Sequence, residues 1–183
     1  MLCRERKLVL MGFAFRSVLP VEQGRMHSMN SIDALDARIL LALDDEPDAS
    51  TLALARTLGI SRNTVHARLQ RLHRGPLRGF SQRVSPAMLG YGMVAFVSLA
   101  ISQSVAANAS ALLEKIPEVV EIHSTTGDSD LLLKVVARDT SDLHRVTGEI
   151  LAIDGIVRSS TVISLAETMP NRTRALLERV AQQ

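Results

Sequence analysis

Tryptophan is absent, and one tyrosine and four phenylalanines give an aromatic share of only 3% in 183 residues. That scarcity removes the stacking platforms on which single-stranded nucleic acids are commonly read. A single cysteine, Cys3, permits neither an internal disulfide nor a thiolate zinc cage, so a reducing, cytoplasmic setting is expected. The longest apolar stretch, Gly92 to Ile101 broken by Ser98, is far shorter than the roughly 20 residues of a membrane-spanning helix. A soluble protein with no membrane partner follows. The chain also lacks a glycine-rich phosphate loop and a His-x-x-x-His pair, so no enzyme, no metal and no resident cofactor is expected.

What is present is an ordinary globular composition, 46% hydrophobic and 22% charged, with room for one large or two small domains. The formal net charge is only +2, but its placement is uneven. Residues 56–83 carry Arg56, Arg62, Arg68, Arg71, Arg74, Arg78 and Arg83 and no carboxylate, whereas residues 84–183 are net acidic. Such asymmetry marks a polyanion-binding portion joined to a domain of another kind.

Residues 1–30 are expected to be an extension, either unstructured or preceding a start at Met26 or Met29. Arg4 to Lys7 followed by Leu8 to Phe15 imitates a secretory leader, but the apolar part is short and no Ala-x-Ala site follows.

Patterning begins at Ser31. Ile32, Leu35, Ile39 and Leu43 define one apolar helix face, with Asp33 and Asp36 at its start. After the acidic loop Asp44 to Asp48, Ser50 caps a short helix carrying Leu52, Ala55 and Leu58, and Gly59 ends it. Ser61 caps a third helix in which Val65, Leu69 and Leu72 face inward. The opposite stripe, Asn63, Ala67, Gln70 and Arg74 with Thr64 and Arg71 beside it, is polar and free of acid. Two helices joined by a tight glycine turn, the second presenting amides and arginines, predict a helix-turn-helix domain over residues 31–83 that binds double-stranded DNA. Asn63, Thr64, Ala67 and Gln70 suit base edges, and Arg62, Arg68, Arg71, Arg74 and Arg78 suit phosphates. Arg68 lies nearest the packed stripe and is also placed to bridge within the domain, while His66 and His73 read as surface or packing residues.

Leu77, Phe80 and Val84 suggest a strand leading out of this unit, and residues 84–92, with Ser85-Pro86, a hinge. Residues 93–168 then alternate as strand, helix, strand, strand, helix, strand. The order βαββαβ predicts a ferredoxin-like domain within an α+β protein. Asp128 and Asp130 in the turn-rich segment Thr125 to Asp130 read as turn chemistry ahead of a metal pair or an acid and base. Residues 169–183 form a tail whose Leu176, Leu177 and Val180 have helical spacing, suited to covering a partner.

Together, Ile32 to Asp36, Leu58-Gly59-Ile60-Ser61, Arg68-Leu69, Gly79-Phe80, Leu89-Gly90, Pro117-Glu118-Val119 and Gly127 to Val135 resemble the Lrp/AsnC family of feast/famine transcription regulators. The resemblance covers Ile32 to about Ala166. It implies a winged helix-turn-helix followed by a ferredoxin-like effector domain, homodimers paired through the sheet, and assembly of dimers into higher oligomers such as octamers. It also implies an amino acid or related effector bound between dimers at the loop Thr126, Gly127, Asp128, Ser129 and Asp130. Family members often carry aromatic residues where this chain has Ser129 and Leu131, and Pro76 stands where an aliphatic residue usually leads into the wing. Two other readings remain: an architectural protein that bends or wraps DNA without an effector, and a metabolite-binding ferredoxin-like protein.

Overall fold

The structure is a computed structural model that describes residues 31–102 and 106–183, so the extension 1–30 lies outside the described residues. It divides into two compact units, each of which has its own interior. Of the described residues, the first comprises those from Ser31 to Leu77 together with Thr173–Gln183, and the second those within Arg78–Arg172.

In the first unit, α1 (Ala34–Asp45) starts at a reciprocal cap. The Asp33 side chain accepts the Asp36 N–H at 2.9 Å, and the Asp36 side chain accepts the Asp33 N–H at 3.1 Å. Ser50 caps α2 (Thr51–Leu58) through the Ala53 N–H, and Gly59 closes it with φ 68°, a left-handed geometry that a side chain would strain. Ser61 then caps α3 (Arg62–Arg74) through the Thr64 N–H. Leu54, Ala55 and Val65 form the centre of the core, with Ala42, Leu43, Ile60 and Leu69 packed around it.

Two details differ from the periodicity. On α1 the buried residues are Asp36, Ala37, Ile39 and Leu40, so the inward face is rotated and includes a carboxylate. On α2, Leu54 is buried and Leu52 is 47% exposed, because a helix of two turns presents one narrow stripe to α1 and α3.

No strand follows α3 before the sheet of the second unit. The segment expected as a wing strand instead forms 3-10 turns at Phe80–Arg83 and Pro86–Leu89, and Phe80 is 84% exposed. With Gly75, Pro76 and Gly79 flanking its apolar residues, this stretch has neither an alternating face nor a partner strand.

The second unit has the predicted order: β1 (Met93–Ile101), α4 (Ala106–Leu113), β2 (Val119–Ser124), β3 (Leu131–Ala137), α5 (Thr140–Leu151) and β4 (Ile156–Ile163). The antiparallel sheet runs β2-β3-β1-β4. Ala95, Val97, Leu99, Leu131, Leu133, Val135 and Ala137 face Leu113, Leu143, Val146 and Ile150 from the helices. Along β1 the alternate residues turn to the other face, where Phe96 stands opposite Val162 and Lys134 in register; Phe96 is 40% and Val162 63% exposed.

The tail forms α6 (Arg174–Ala181), which packs on α1 of the same chain, where the sequence suggested a partner as its seat.

Candidate nucleic-acid interface and effector loop

The sequence of α3 places its hydrophobic residues on one stripe, and the fold buries that stripe: Val65 and Leu72 are fully buried. Asn63, Ala67, Gln70 and Arg74 are exposed together on the far side, with Arg62 exposed at the first turn. Thr64 is half-buried, and its hydroxyl lies 2.8 Å from the Ser61 hydroxyl, so it helps to cap the helix as well as border the exposed face. No carboxylate lies on α3, and its basic last turn, Arg71, His73 and Arg74, complements the helix dipole. A helix of this kind projects one methyl and several amide and guanidinium groups toward a polyanion.

The arginines divide into two sets. Arg68 forms ion pairs with Asp33 and with Asp36, the latter at 3.2 Å, and Arg71 pairs with Asp36 and donates to the Ser31 carbonyl at 3.3 Å. Asp36 is fully buried, so its charge is stabilised by these two guanidinium groups and by the Asp33 N–H. Arg68 thus bridges within the domain, and Arg71, expected at phosphates, does the same here. Their donors are turned toward the start of α1, where the cap residue Asp33 and Asp36 stand three residues apart, as Arg68 and Arg71 do on α3. Arg62, Arg74 and Arg78 are exposed; Arg78 opens the second unit.

One contact escaped the sequence reading. The Gln70 amide nitrogen lies 3.0 Å from His66 Nε2, one helical turn away, so His66 shares the exposed face with the amides. The signal was the i, i+4 spacing of two polar residues on an acid-free helix.

In the second unit, the loop before β3 is built by backbone contacts. Gly127 has φ 106°, a conformation that side chains rarely adopt, and the space around it is open. The Asp130 N–H donates to the Leu99 carbonyl at 2.8 Å, and the Asp130 carboxylate accepts the Ile101 N–H at 2.7 Å. Thr125 donates its hydroxyl to the Ser129 carbonyl at 2.7 Å, and Arg158 from β4 donates to the Asp128 carbonyl at 3.0 Å. Thr126 and the Asp128 side chain stay at the exposed tip, while Ser129 is half-buried. Thus Thr126 to Asp130 come together as one loop pinned to the end of β1, and Asp130 spends one carboxylate oxygen on that pin.

An ion-pair network on α5 has a structural task. Arg145 reaches Glu118 at 2.5 Å, Asp142 at 2.7 Å and Glu149 at 2.7 Å, tying α5 to the start of β2 and neutralising the buried Glu118. The Arg138 backbone N–H, followed by Arg145, holds the Asp142 carboxyl below the ordinary aspartate range. On the other sheet face, burial pushes the Glu121 carboxyl upward, but His123 and Lys134 outweigh it and the net shift is downward. Among the described residues no group of His, Cys, Asp and Glu is placed to hold a metal ion.

Residues 32–73 match the AsnC-type helix-turn-helix domain, and residues 94–174 match the Lrp/AsnC ligand binding domain. The chain belongs to the Lrp/AsnC family. It is 31% identical over 140 residues to regulatory protein AsnC of Haemophilus influenzae, covering 75% of this chain and 93% of that one. It is 35% identical over 130 residues to the transcriptional regulator AldR of Mycolicibacterium smegmatis, covering 69% and 76%. Among solved structures, Escherichia coli AsnC superposes with a TM-score of 0.71 at 32% identity, covering 79% of this chain and 99% of that chain. A feast or famine regulatory protein of M. tuberculosis, complexed with L-methionine, gives 0.67 at 28% identity over 78% and 97%. As a member of the Lrp/AsnC family, the chain is a DNA-binding regulator of transcription. Among the described residues, no helix is long and apolar enough to cross a membrane.

Proposed function

We propose that this Lrp/AsnC regulator binds specific promoter DNA as a cytoplasmic homo-oligomer whose affinity is set by an amino acid. The observation that carries the reading is the exposed, acid-free face of α3, on which Asn63, Ala67 and Gln70 stand clear of the core. Asn63 and Gln70 pair with base edges, Ala67 admits close approach, and Thr64 meets an edge or a thymine methyl. Arg62, Arg74 and Arg78 neutralise phosphates and set register.

The effector reading rests on the loop Thr126, Gly127, Asp128, Ser129 and Asp130, and the solved relative with L-methionine supports an amino acid as the ligand class. An effector that binds one assembly state more tightly shifts the population toward it by its differential affinity. The uncovered sheet face around Phe96 and Val162 supports dimers formed sheet to sheet, with dimers then joining into larger rings such as octamers. Recognition by regulation requires no catalytic residue and no cofactor beyond the effector.

The test is binding of the purified protein to its own upstream DNA and to a scrambled duplex at fixed salt, with and without an amino-acid pool. Preference for the upstream DNA that changes with an amino acid is expected. Equal affinity for both duplexes, unmoved by amino acids, would favour an architectural DNA-wrapping protein.

A further inference from the structure

α1 is clamped at both ends by charge, and the two clamps belong to different parts of the chain. Its last turn contains Asp44 and Asp45 and no basic residue, the wrong sign for the negative end of a helix dipole. Arg174 on α6 supplies the missing cation: one guanidinium nitrogen lies 2.9 Å from Asp45 and another 3.8 Å from Asp44, while Nε reaches Glu178 at 3.1 Å. Leu177, Val180 and Ala181 of α6 are half-buried as the helix packs on α1. At the opposite end, Asp33 and Asp36 grip Arg68 and Arg71 of α3. A helix of 12 residues, about 18 Å long, therefore connects α6 to the recognition helix.

The chain order gives this arrangement a consequence. The effector domain, Arg78–Arg172, is inserted between two segments of the DNA-binding unit and is covalently joined to α3 at one end and to α6 at the other. α6 starts at Arg174, where the match to the ligand binding domain ends. A change in the effector domain that displaces its C-terminal end acts on α6 first.

We propose that α6 and α1 form a relay from the effector domain to the recognition helix, with α6 docked or released as its two states and Arg174 as the positioning residue that sets the balance. The relay to α3 stands on the ion pairs alone, and its use by an amino acid rests on the function proposed above. Docked α6 neutralises the acidic end of α1 and holds that helix against the core. Release leaves the acidic end unpaired, loosens α1 and slackens its grip on Arg68 and Arg71.

The experiment compares the full chain with Arg174→Glu, Arg174→Gln and the double reversal Arg174→Glu/Asp45→Arg, reading operator affinity and amide hydrogen exchange. Arg174→Glu is expected to weaken operator binding about two- to fivefold, the range of an exposed ion pair. It is also expected to accelerate exchange in α1 and α3 while the sheet amides keep their wild-type rates. The double reversal is expected to restore both, and Arg174→Gln gives the same pattern in milder form should Arg174→Glu unfold the helices. Faster exchange confined to α1 and α6, with α3 and operator affinity unchanged, would overturn the relay and leave α6 a stabilising helix. A second arm titrates L-methionine and then the other amino acids against the chain ended after Arg172. An amino acid that shifts operator affinity in the wild type and not in the shortened chain supports the relay, and an equal shift in both overturns it. If no amino acid acts on the wild type, the effector reading fails, and the exchange data still decide the relay.

Discussion

The division of the arginines on α3 predicts how DNA affinity falls with salt. Each phosphate neutralised by a protein cation contributes a slope of about −0.9 in log K against log salt, because condensed counterions are released. If Arg62, Arg68, Arg71, Arg74 and Arg78 all reached phosphates, one protomer would give about −4.5. The structure commits Arg68 and Arg71 to Asp33 and Asp36, leaving Arg62, Arg74 and Arg78 and a slope of about −2.7 per protomer. A fourfold rise in salt then weakens each protomer's binding about 40-fold, where five phosphates would give about 500-fold. Fluorescence anisotropy on one labelled duplex across a salt series measures the difference directly. Arg74→Gln should flatten the slope by about 0.9 per protomer, whereas Arg71→Gln should lower stability and leave the slope unchanged. A wild-type slope matching five contacts, or equal flattening by Arg71→Gln and Arg74→Gln, would refute the division.

Asp36→Ala should destabilise the DNA-binding unit by about 2–3 kcal/mol in denaturant unfolding, because it strips a buried acceptor from two guanidinium groups that remain part-solvated. Gly127→Ala should cost about 1–3 kcal/mol through backbone strain alone, since φ is 106° and nothing crowds the new methyl; thermal unfolding of the effector domain reads it. The Asp142 carboxyl titrates below its ordinary 3.8, so its contribution to stability is complete above that value and is lost as pH falls through the lowered one. Asp142→Asn should therefore flatten the acid limb of the stability profile, and an unchanged limb would show that another carboxylate dominates it. Phe96→Arg should leave the protomer folded and shift sedimentation toward smaller species, if the sheet face pairs two copies.

The two domains were legible because each has a strong period. Val65, Leu69 and Leu72 gave the inward face of α3, and β2 and β3 fall in the expected order because the turn-rich segment Thr125 to Asp130 separates their two runs. The wing strand failed for the converse reason: Phe80 and Val84 are isolated apolar residues in a glycine- and proline-marked segment, and a strand exists only where a neighbour completes its hydrogen bonds. Asn63, Ala67, Gln70 and Arg74 were readable as an exposed face, since helical geometry fixes which residues point away from a buried stripe.

The sequence by itself determined the three N-terminal helices, the βαββαβ order, the exposed face of α3 and the glycine turn at Gly59, because these depend on local spacing and on backbone freedom at single residues. Only the tertiary structure decided which charges are free and which are spent. Arg68 and Arg71 meet carboxylates more than thirty positions away, and Arg174 returns to Asp44 and Asp45 from the far end of the chain. A pairwise electrostatic interaction depends on distance in space, and no local period encodes the fold that brings such residues within reach.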